Sequence, residues 1–462
     1  MTLIKSISGI RGTIGGNAGE ALTPIDILKF TTAYSIRLKN KFPGKKTKVI
    51  VGRDARISGN LVNRLVTGTL MSMGINVVDL GLSTTPTVEL AVTDHGADGG
   101  IILTASHNPR QWNALKLLNE KGEFLSDSEG RELLEIAEKE EFTFAEIDDI
   151  GSCEKDYDAI KHHIEHIQDL ELVDVESIRQ ADFKVAVDAV NSTGGIAIPM
   201  LLEALGVDDI IELYTEPNGE FPHNPEPLPE HLTEISEVIK TKGADVGFVV
   251  DPDVDRLAII MENGEMFGEE YTLVAVADYV LQHKKGNTVS NMSSTRALRD
   301  ITETADGSYA ASAVGEVNVV ELMKKTNAVI GGEGNGGVIY PELHYGRDAL
   351  VGIALFLTYL AKKKVKVSEL RAGYPSYFIS KNKIQLSKGM DVDGILKTIA
   401  AKYKDYEVDT TDGVKIYFDK EWVHLRKSNT EPIIRIYSES KTAEKASELA
   451  KKIMDEIGKL SR

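Results

Sequence analysis

The chain has 462 residues, with 53 lysines and arginines against 71 aspartates and glutamates, so its formal net charge is −18. Such an acidic balance disfavours nucleic acid and anionic membranes as general partners, and the length suggests roughly three or four domains of about 100–150 residues each. The single cysteine, the absence of an apolar signal segment at the start and a longest apolar run of residues 350–361 predict a cytoplasmic protein without a membrane part.

The first part of the chain predicts a β-α-β-α-β unit. Near its start, Gly9 and Gly12 flank Arg11, which suggests a loop that brings a guanidinium close to an anion; a plain turn with a surface arginine is the alternative. Hydrophobic periodicity then predicts alternating strands and helices. These are strands 48–52, 75–81 and 100–103 and helices 58–74, 85–95, 127–139 and 157–167.

The predicted strand at 100–103 ends abruptly in small polar residues. Ser106 follows it, and Asn108-Pro109 marks a turn, so the serine lies just past the carboxyl end of a buried strand. Open α/β sheets bind ligands at such ends, although an ordinary loop with a capping serine is the alternative. Ten residues further on, Lys116 completes the pattern T-A-S-H-N-P-x-x-W-N-A-x-K.

A second α/β stretch ends in an apolar strand followed by three alternating aspartates, Asp251, Asp253 and Asp255. Carboxylate oxygens are preferred ligands of Mg²⁺, and three in one loop can hold it. A calcium loop is the main alternative, but its sixth position would be Arg256 rather than glycine and apolar strands flank it. The predicted elements are strands 183–190, 210–214 and 246–250, a helix ending at 205 and a helix at 229–241.

A third stretch ends in strand 328–331, which opens into a glycine-rich loop containing Glu333. A carboxylate there can accept two sugar hydroxyls, although a flexible surface turn is the alternative. After a buried helix at 348–364, alternating patterns predict a separate α+β module with a polar loop at 426–432 that can bind a phosphate dianion or form a plain hairpin turn. The elements are helices 270–283, 295–304, 317–325, 391–403 and 442–459 and strands 287–291, 309–314, 377–386, 413–418 and 422–425.

Taken in order, these loops resemble the active-site loops of the α-D-phosphohexomutase superfamily, which comprises the phosphoglucomutases, phosphomannomutases and phosphoglucosamine mutases. The serine loop departs from the family's Y-N-G-x-K at Trp112 and Ala114, and the metal loop has Pro252 where D-G-D-x-D-R has glycine. The sugar loop has Asn335 where G-E-x-S-G has serine, while R-x-S-N-T-E-P-x-x-R is close to the family's phosphate loop. Four such motifs in order over the whole chain make the resemblance specific.

The resemblance implies an α/β fold of three similar α/β domains with mixed sheets and a C-terminal α+β domain, arranged around a central cleft. The expected domains are a phosphoserine-loop domain at 1–155, a metal-binding domain at 156–256, a sugar-binding domain at 257–372 and a phosphate-binding domain at 373–462.

It also implies a phosphohexomutase that moves phosphate between the 1- and 6-positions of a hexose monophosphate through phosphoserine and a bisphosphosugar, with Mg²⁺ and a hexose 1,6-bisphosphate as activator. The protein would be a monomer or homodimer. A metal-dependent phosphomonoesterase is a remote alternative, because it would not need a loop for a distal phosphate. The implied residues are catalytic Ser106, Arg11, His107 and Lys116; metal-binding Asp251, Asp253, Asp255 and Ser106; and substrate-binding Arg256, Glu316, Glu333, Asn335, Arg426, Ser428, Asn429, Thr430 and Arg435.

The expected substrate is glucosamine 6-phosphate, converted to glucosamine 1-phosphate. The 2-amino group of glucosamine is largely cationic at neutral pH, and Glu333 and Glu316 both belong to the predicted sugar side. A charge-assisted hydrogen bond between the amino group and one of these carboxylates contributes about 1.5–3 kcal/mol. The motif wording leans instead towards glucose and mannose phosphates, which remain the alternative.

Overall fold

The computed structural model describes residues 2–6, 9–386, 391–427 and 433–460. The chain forms two compact units, one of Met1–Thr272 with Asn335–Leu370 and the other of Leu273–Gly334 with Arg371–Arg462. Among the described residues, no helix combines the length and the apolar character needed to cross a bilayer. The four domain limits expected from the sequence stay a prediction.

The first unit opens with a seven-stranded mixed sheet. Its strands are β1 (Ile4–Ser6), β2 (Gly9–Thr13), β3 (Lys48–Arg53), β4 (Asn76–Leu82), β5 (Gly99–Leu103), β6 (Trp112–Leu118) and β7 (Cys153–Lys155). They lie in the order β1-β2-β6-β5-β3-β4-β7. In this order, β5, β3, β4 and β7 run parallel to one another. On the other side of β5, the strands β6, β2 and β1 follow, each antiparallel to its neighbour. The serine loop therefore joins two strands rather than a strand and a helix.

Helices cover both faces of this sheet. They are α1 (Pro24–Lys41), α2 (Gly59–Ser72), α3 (Thr85–Asp94), α4 (Asp127–Lys139) and α5 (Ala159–Gln168). Successive residues of β3 point to opposite faces, so Val49 and Val51 join the core under α1, α2 and α4, whereas Ile50 joins the core under α3 and α5. This double burial explains the continuous apolar strands seen in the sequence.

The first unit continues into a four-stranded sheet. Helix α6 (Val175–Ala181) precedes it, and its own elements are β8 (Lys184–Asp188), α7 (Gly194–Ala204), β9 (Asp209–Leu213), α8 (Thr233–Lys242), β10 (Val246–Val250) and β11 (Leu257–Met261). The order is β11-β10-β8-β9, with β10, β8 and β9 parallel and β11 antiparallel to β10. The aspartate loop is therefore the tight connection between β10 and β11.

The second unit contains two further sheets, and the chain returns to the first unit between them. The first stretch holds α9 (Tyr271–His283), β12 (Asn287–Asn291), α10 (Arg296–Thr304), β13 (Tyr309–Ser312), α11 (Glu316–Thr326) and β14 (Ala328–Glu333). The returning segment holds β15 (Gly337–Ile339), α12 (Ala349–Lys363) and α13 (Val367–Ala372). The last stretch holds β16 (Phe378–Gln385), α14 (Val392–Lys402), β17 (Glu407–Asp409), β18 (Val414–Tyr417), β19 (Trp422–Lys427), β20 (Ile433–Ser440) and α15 (Ala443–Leu460).

In the second unit, β12 lies between β13 and β14 and runs parallel to both. The final sheet is antiparallel throughout, in the order β16-β20-β19-β18-β17, with α14 and α15 packed on its core. Lys415 of β18 joins the two sheets, because its Nζ donates to the backbone carbonyl of Met292 over 2.7 Å. The predicted C-terminal α+β module is confirmed.

Helix α12 is the buried helix that the sequence predicted. Every residue from Ala349 to Ala361 is buried, and Phe356 meets Phe248 and Phe267 edge to face. Asp348 caps the helix, because its side chain accepts the N–H groups of the second and third helical residues. An apolar helix without a polar face can exist only inside a core, and here it packs within the first unit.

The loop expected around Arg11 is wrong, because Gly9–Thr13 is a strand, β2. It pairs with β6, with Gly9 opposite Lys116. A Cβ on Gly9 would lie 2.4 Å from the carbonyl oxygen of Leu115, so the glycine permits close approach of two strands rather than a turn. The pairing still brings the arginine to the strand that carries Lys116.

Candidate active site

The predicted serine lies in the loop between β5 and β6. Ser106 has a φ of 49°, in the left-handed region that costs a residue with a side chain about 1–2 kcal/mol. Its amide donates to Thr104 Oγ1 over 2.9 Å, and its Oγ donates to Asp251 Oδ2 over 2.7 Å. Ser106 is 8% exposed, so it is largely shielded from water.

Arg56, which sequence reasoning did not select, holds this loop in shape. Its guanidinium is fully buried and donates to the backbone carbonyl of Ser106. Three further carbonyls accept from it: those of Asn108 at 2.7 Å, Pro109 at 2.8 Å and Trp112 at 3.1 Å. A rigid, always charged fork of donors suits this role, which a lysine could not fill. These four bonds hold the serine in its left-handed conformation.

Asp54 supports Arg56 in turn. Its Oδ2 lies 3.0 Å from Arg56 Nε and accepts Thr104 Oγ1 over 2.7 Å, so one carboxylate fixes both the arginine and the residue that binds the serine amide. Burial raises the pKa of Asp54, and the Arg56 charge and the Thr104 hydrogen bond oppose that rise. The signal in the sequence was the run Arg53-Asp54-Ala55-Arg56 directly after a strand, where opposite charges two residues apart can form a buried pair.

The three predicted aspartates converge at the carboxyl end of β10. Asp251, Asp253 and Asp255 are all fully buried, and each offers an oxygen within 4.8 Å of the others. Asp251 Oδ1 accepts the backbone N–H groups of Asp255 and Arg256, both over 3.2 Å, which closes the turn. Val254 takes a left-handed φ of 64° at its tip. The alternation seen in the sequence therefore becomes a single cluster facing Ser106.

The aspartate cluster has the properties expected of a divalent metal site. The Oδ1 atoms of Asp253 and Asp255 are buried and accept no hydrogen bond among the described residues. Burial, followed by repulsion from Asp255 and Asp253, raises the pKa of Asp251 well above its usual value. A divalent cation would satisfy the two oxygens and relieve the repulsion, so the residues fit a metal of the oxygen-binding class.

Cationic side chains surround the same carboxylates. Lys116 Nζ lies 2.6 Å from Asp253 Oδ2 and 3.2 Å from Asp255 Oδ2. Arg347 Nη2, which sequence reasoning missed, lies 2.7 Å from Asp255 Oδ2, and Arg256 Nε lies 4.0 Å from Asp255 Oδ1. Burial alone would raise the pKa of Asp255, but Arg347 and Lys116 lower it below its usual range. The site thus offers carboxylates to a cation and positively charged side chains to the oxygens of a phosphate.

Lys116 is held as a cation. Burial lowers the pKa of Lys116, but Asp253 and Asp255 outweigh that effect and raise it above the ordinary value. His107 is in the opposite state, because burial and the charge of Arg256 lower its pKa to about 2. The His107 ring is therefore neutral at pH 7, with Nδ1 3.4 Å from Ser106 Oγ.

Arg11 lies on β2 beside the strand that carries Lys116. Burial and the charge of Arg256 lower the pKa of Arg11, whereas Asp253 raises it. The like charges of Arg11 and Arg256 oppose each other in the absence of an anion, so the arrangement favours a bound phosphate.

The second unit holds the two glutamates of the predicted sugar side. Glu333, at the end of β14, is 5% exposed, and its Oε1 accepts Asn291 Nδ2 over 2.9 Å and the amide of Gly315 over 3.2 Å. Glu316 follows Gly315 as the first residue of α11 and is also buried. The residue before Glu316, Gly315, therefore binds the carboxylate of Glu333 through its backbone amide. Asn335 belongs to the first unit, where its Oδ1 accepts the amide of Gly337 over 3.2 Å.

The described part of the predicted phosphate loop holds two arginines. Arg426 and Arg435 are directly paired across β19 and β20. Like charges at paired positions are destabilising unless something compensates them. Asp412 Oδ2 lies 3.5 Å from Arg426 Nη1, while Arg426 Nε is buried without a hydrogen bond among the described residues. The predicted Ser428, Asn429 and Thr430 lie outside the described residues.

Comparison with known proteins gives the same grouping. Four family models match in order: phosphoglucomutase/phosphomannomutase α/β/α domains I, II and III at residues 3–144, 161–264 and 268–377, and the C-terminal domain at 364–456. A phosphoglucomutase/phosphomannomutase of Thermococcus kodakarensis is 38% identical, covering 95% of this chain and 96% of its own. A phosphoglucosamine/phosphogalactosamine mutase of Sulfurisphaera tokodaii is 33% identical, covering 96% and 97%.

Solved structures agree with these relatives. A phosphoglucomutase/phosphomannomutase family protein of Burkholderia thailandensis superposes with a TM-score of 0.86 at 26% identity, covering 99% of this chain and 97% of its own. Together with the serine facing three buried aspartates, these matches establish that the chain belongs to the phosphoglucomutase/phosphomannomutase family and is a phosphohexomutase.

Proposed function

We propose that this phosphohexomutase is a phosphoglucosamine mutase of the cytoplasm, which converts glucosamine 6-phosphate to glucosamine 1-phosphate with Mg²⁺ and through glucosamine 1,6-bisphosphate. The observation that carries the chemistry is the 2.7 Å hydrogen bond from Ser106 Oγ to Asp251 Oδ2, within a cluster of three buried carboxylates. A monomeric or homodimeric assembly stays a prediction.

In the first half of the proposed cycle, the bond between phosphorus and Ser106 Oγ breaks as a bond from phosphorus to a sugar oxygen forms. The sugar hydroxyl gives up its proton, for which neutral His107 is the candidate acceptor, and the departing Ser106 Oγ takes up a proton, for which the Lys116 cation is the candidate donor. In the second half, the other phosphate of the bisphosphate returns to Ser106, the serine hydroxyl loses its proton and the product hydroxyl regains one. Atoms and charge balance over the cycle, and no water is consumed.

The residues around Ser106 stabilise the transferring group. Asp251, Asp253 and Asp255 would hold Mg²⁺, with Ser106 as a further ligand; the bound ion supplies positive charge next to the phosphoryl oxygens. Arg11 contributes a half-buried guanidinium, and Arg256 supplies a second one for the substrate. Arg56 acts through the serine loop and is a positioning residue.

The preference for an amino sugar rests on charge. Glu333 and Glu316 are both buried, and the amide just before Glu316 donates to the carboxylate of Glu333. A cationic 2-amino group would find two carboxylates there, whereas a hydroxyl would gain little from them. Relatives named phosphoglucosamine mutase support this choice. The 38% identity to a phosphoglucomutase/phosphomannomutase supports glucose and mannose phosphates as the second candidate.

A substrate panel tests this preference. We expect kcat/KM for glucosamine 6-phosphate to exceed the values for glucose and mannose 6-phosphates by about tenfold or more, since one charge-assisted hydrogen bond contributes about 1.5–3 kcal/mol. Glu316→Gln should reduce the glucosamine value selectively. Glu321→Gln, an exposed position on the same helix, is the matched control. Equal values for the three sugars, or a mannose preference, would reject the amino-sugar assignment.

We also propose that Arg426 and Arg435 bind the phosphate that does not react. Arg426→Ala should raise KM and lower kcat, reducing kcat/KM by roughly a hundredfold, because a bidentate phosphate contact is worth two charged hydrogen bonds and remote binding energy also drives catalysis. Lys420→Ala removes the same charge from an exposed turn and should change little. Unaltered steady-state kinetics in Arg426→Ala would exclude this phosphate site.

A further inference from the structure

A second convergent cluster of ligand atoms lies in the first unit, apart from the aspartate loop. His163 on α5, His344 in the segment before α12 and Asp348 at the cap of α12 each offer an atom within 4.8 Å of the other two. His163 Nε2 lies 2.9 Å and His344 Nε2 lies 3.3 Å from the same oxygen, Asp348 Oδ2. The proposed mutase cycle uses none of these residues.

We propose that His163, His344 and Asp348 form a structural binding site for Zn²⁺. Two imidazole nitrogens and one carboxylate oxygen are typical zinc donors, in contrast to the oxygen donors of the aspartate loop. Tetrahedral zinc bonds of about 2.0–2.1 Å separate neighbouring ligand atoms by roughly 3.3 Å. The two nitrogens lie 2.9 and 3.3 Å from Asp348 Oδ2, close to this value, and all three ligand atoms lie within 4.8 Å of one another.

The surroundings supply an independent argument. A histidine that binds metal through one ring nitrogen generally donates from the other nitrogen to a fixed acceptor. Here His163 Nδ1 lies 2.9 Å from Thr87 Oγ1, and His344 Nδ1 lies 3.2 Å from Glu89 Oε2. Both residues are on α3. Hydrogen bonds on both ring nitrogens thus fix His163 between Asp348 and Thr87, and His344 Nδ1 lies within ion-pair distance of Glu89.

The carboxylate is oriented in the same way. Asp348 Oδ1 accepts the amides of Leu350 and Val351 at 2.8 and 3.3 Å, so the helix end holds that oxygen and leaves Oδ2 directed at the histidines. His163 and Asp348 are essentially inaccessible to solvent, and the His344 side chain is 11% exposed. This burial suits a structural ion, and the fourth tetrahedral position would be taken by a water molecule from the His344 side.

The proposed zinc ion would connect three helices of the first unit. It would fasten α5 and the start of α12 to each other, and through Thr87 and Glu89 to α3. The first residue of α3, Thr85, donates its Oγ1 to Asp253 Oδ2 over 2.6 Å and its amide to the Asp253 carbonyl over 2.8 Å. The zinc site would therefore stabilise α3, the helix whose first residue binds Asp253 of the aspartate loop.

The test measures zinc on the full-length protein, with the aspartate loop saturated with Mg²⁺. After chelation and equilibrium dialysis against limiting Zn²⁺, elemental analysis should find one zinc per chain in the wild type and in His166→Gln, an exposed change on the same helix. His163→Gln should lose it. Co²⁺ in place of Zn²⁺ should give the visible absorption of a tetrahedral site in the same two proteins only.

A further variant, Asp253→Asn, distinguishes zinc bound at the histidine cluster from zinc bound at the aspartate loop. It also tests the proposal if His163→Gln does not fold. The proposal requires Asp253→Asn to retain its zinc and to melt at a higher temperature with Zn²⁺ than without it. Zinc that is absent from the wild type, or is lost in Asp253→Asn and kept in His163→Gln, would overturn it. In that case the cluster is a proton-bridged histidine–aspartate network, and both outcomes leave the mutase assignment untouched.

Discussion

Ser106→Ala is expected to reduce mutase turnover by at least roughly a thousandfold, because it removes the only oxygen proposed to carry the phosphoryl group. The fold should persist. Alanine, like serine, has a Cβ, so the left-handed φ of 49° costs the variant no more than the wild type. The loss of the hydrogen bond to Asp251 is worth about 1 kcal/mol. Arg56 still binds the loop through backbone carbonyls, which the substitution leaves in place.

Two measurements check this expectation together. Steady-state turnover gives the loss of activity, and intact-mass analysis after incubation with hexose 1,6-bisphosphate should show a phosphoryl adduct on the wild type and none on Ser106→Ala. Ser128→Ala, an exposed change on α4, should match the wild type in both assays. Turnover of Ser106→Ala near the wild-type rate would remove the serine from the mechanism. Release of inorganic phosphate by the wild type, without isomerisation, would favour a phosphomonoesterase.

Local signals explain the elements that the sequence predicted well. Helix α4 occupies the predicted residues 127–139, because Ser126 and Glu129 form a capping box and the apolar residues recur at helical spacing. Strand β10 and the buried helix α12 were equally clear, since both are continuous apolar runs bounded by charge. The positions of Ser106 and the aspartates followed from the ends of such strands.

Long-range pairing explains the elements that were missed. Strands β2 and β6 pair residues about a hundred positions apart, and the glycines of β2 suggested a loop. Only the partner strand shows why Gly9 must lack a side chain, because Leu115 occupies the space. A single sequence does not show which distant strand will fill that space.

The same limit applies within the site. Arg347 reaches Asp255 across 92 residues, and Arg56 binds backbone carbonyls, which leave no trace in the sequence. Motif resemblance found the residues proposed to touch the substrate or metal. The residues that hold those groups in position had only a weak signal, the charged run directly after β3.

Asp253→Asn is expected to weaken Mg²⁺ binding by about a hundredfold or more and to reduce turnover in proportion at limiting Mg²⁺. The substitution keeps the shape of the side chain but removes a negative charge from a fully buried position, where charge interactions are weakly screened. It also deprives Lys116 of its nearest partner, at 2.6 Å, although Asp255 remains 3.2 Å away. Stability should change little, because relief of repulsion within the aspartate cluster offsets the lost ion pair.

Calorimetric titration with Mg²⁺ and turnover against Mg²⁺ concentration measure the two effects. Asp245→Asn is the matched control, since Asp245 lies just before the opposite end of the same strand and is exposed, and its Oδ2 accepts the amide of Lys184 over 2.9 Å. A chelator-treated wild type that turns over normally without added metal would refute the metal requirement. If Asp253→Asn instead binds Mg²⁺ as the wild type does yet loses turnover, Asp253 acts mainly by holding Lys116, and the metal belongs to the other two aspartates.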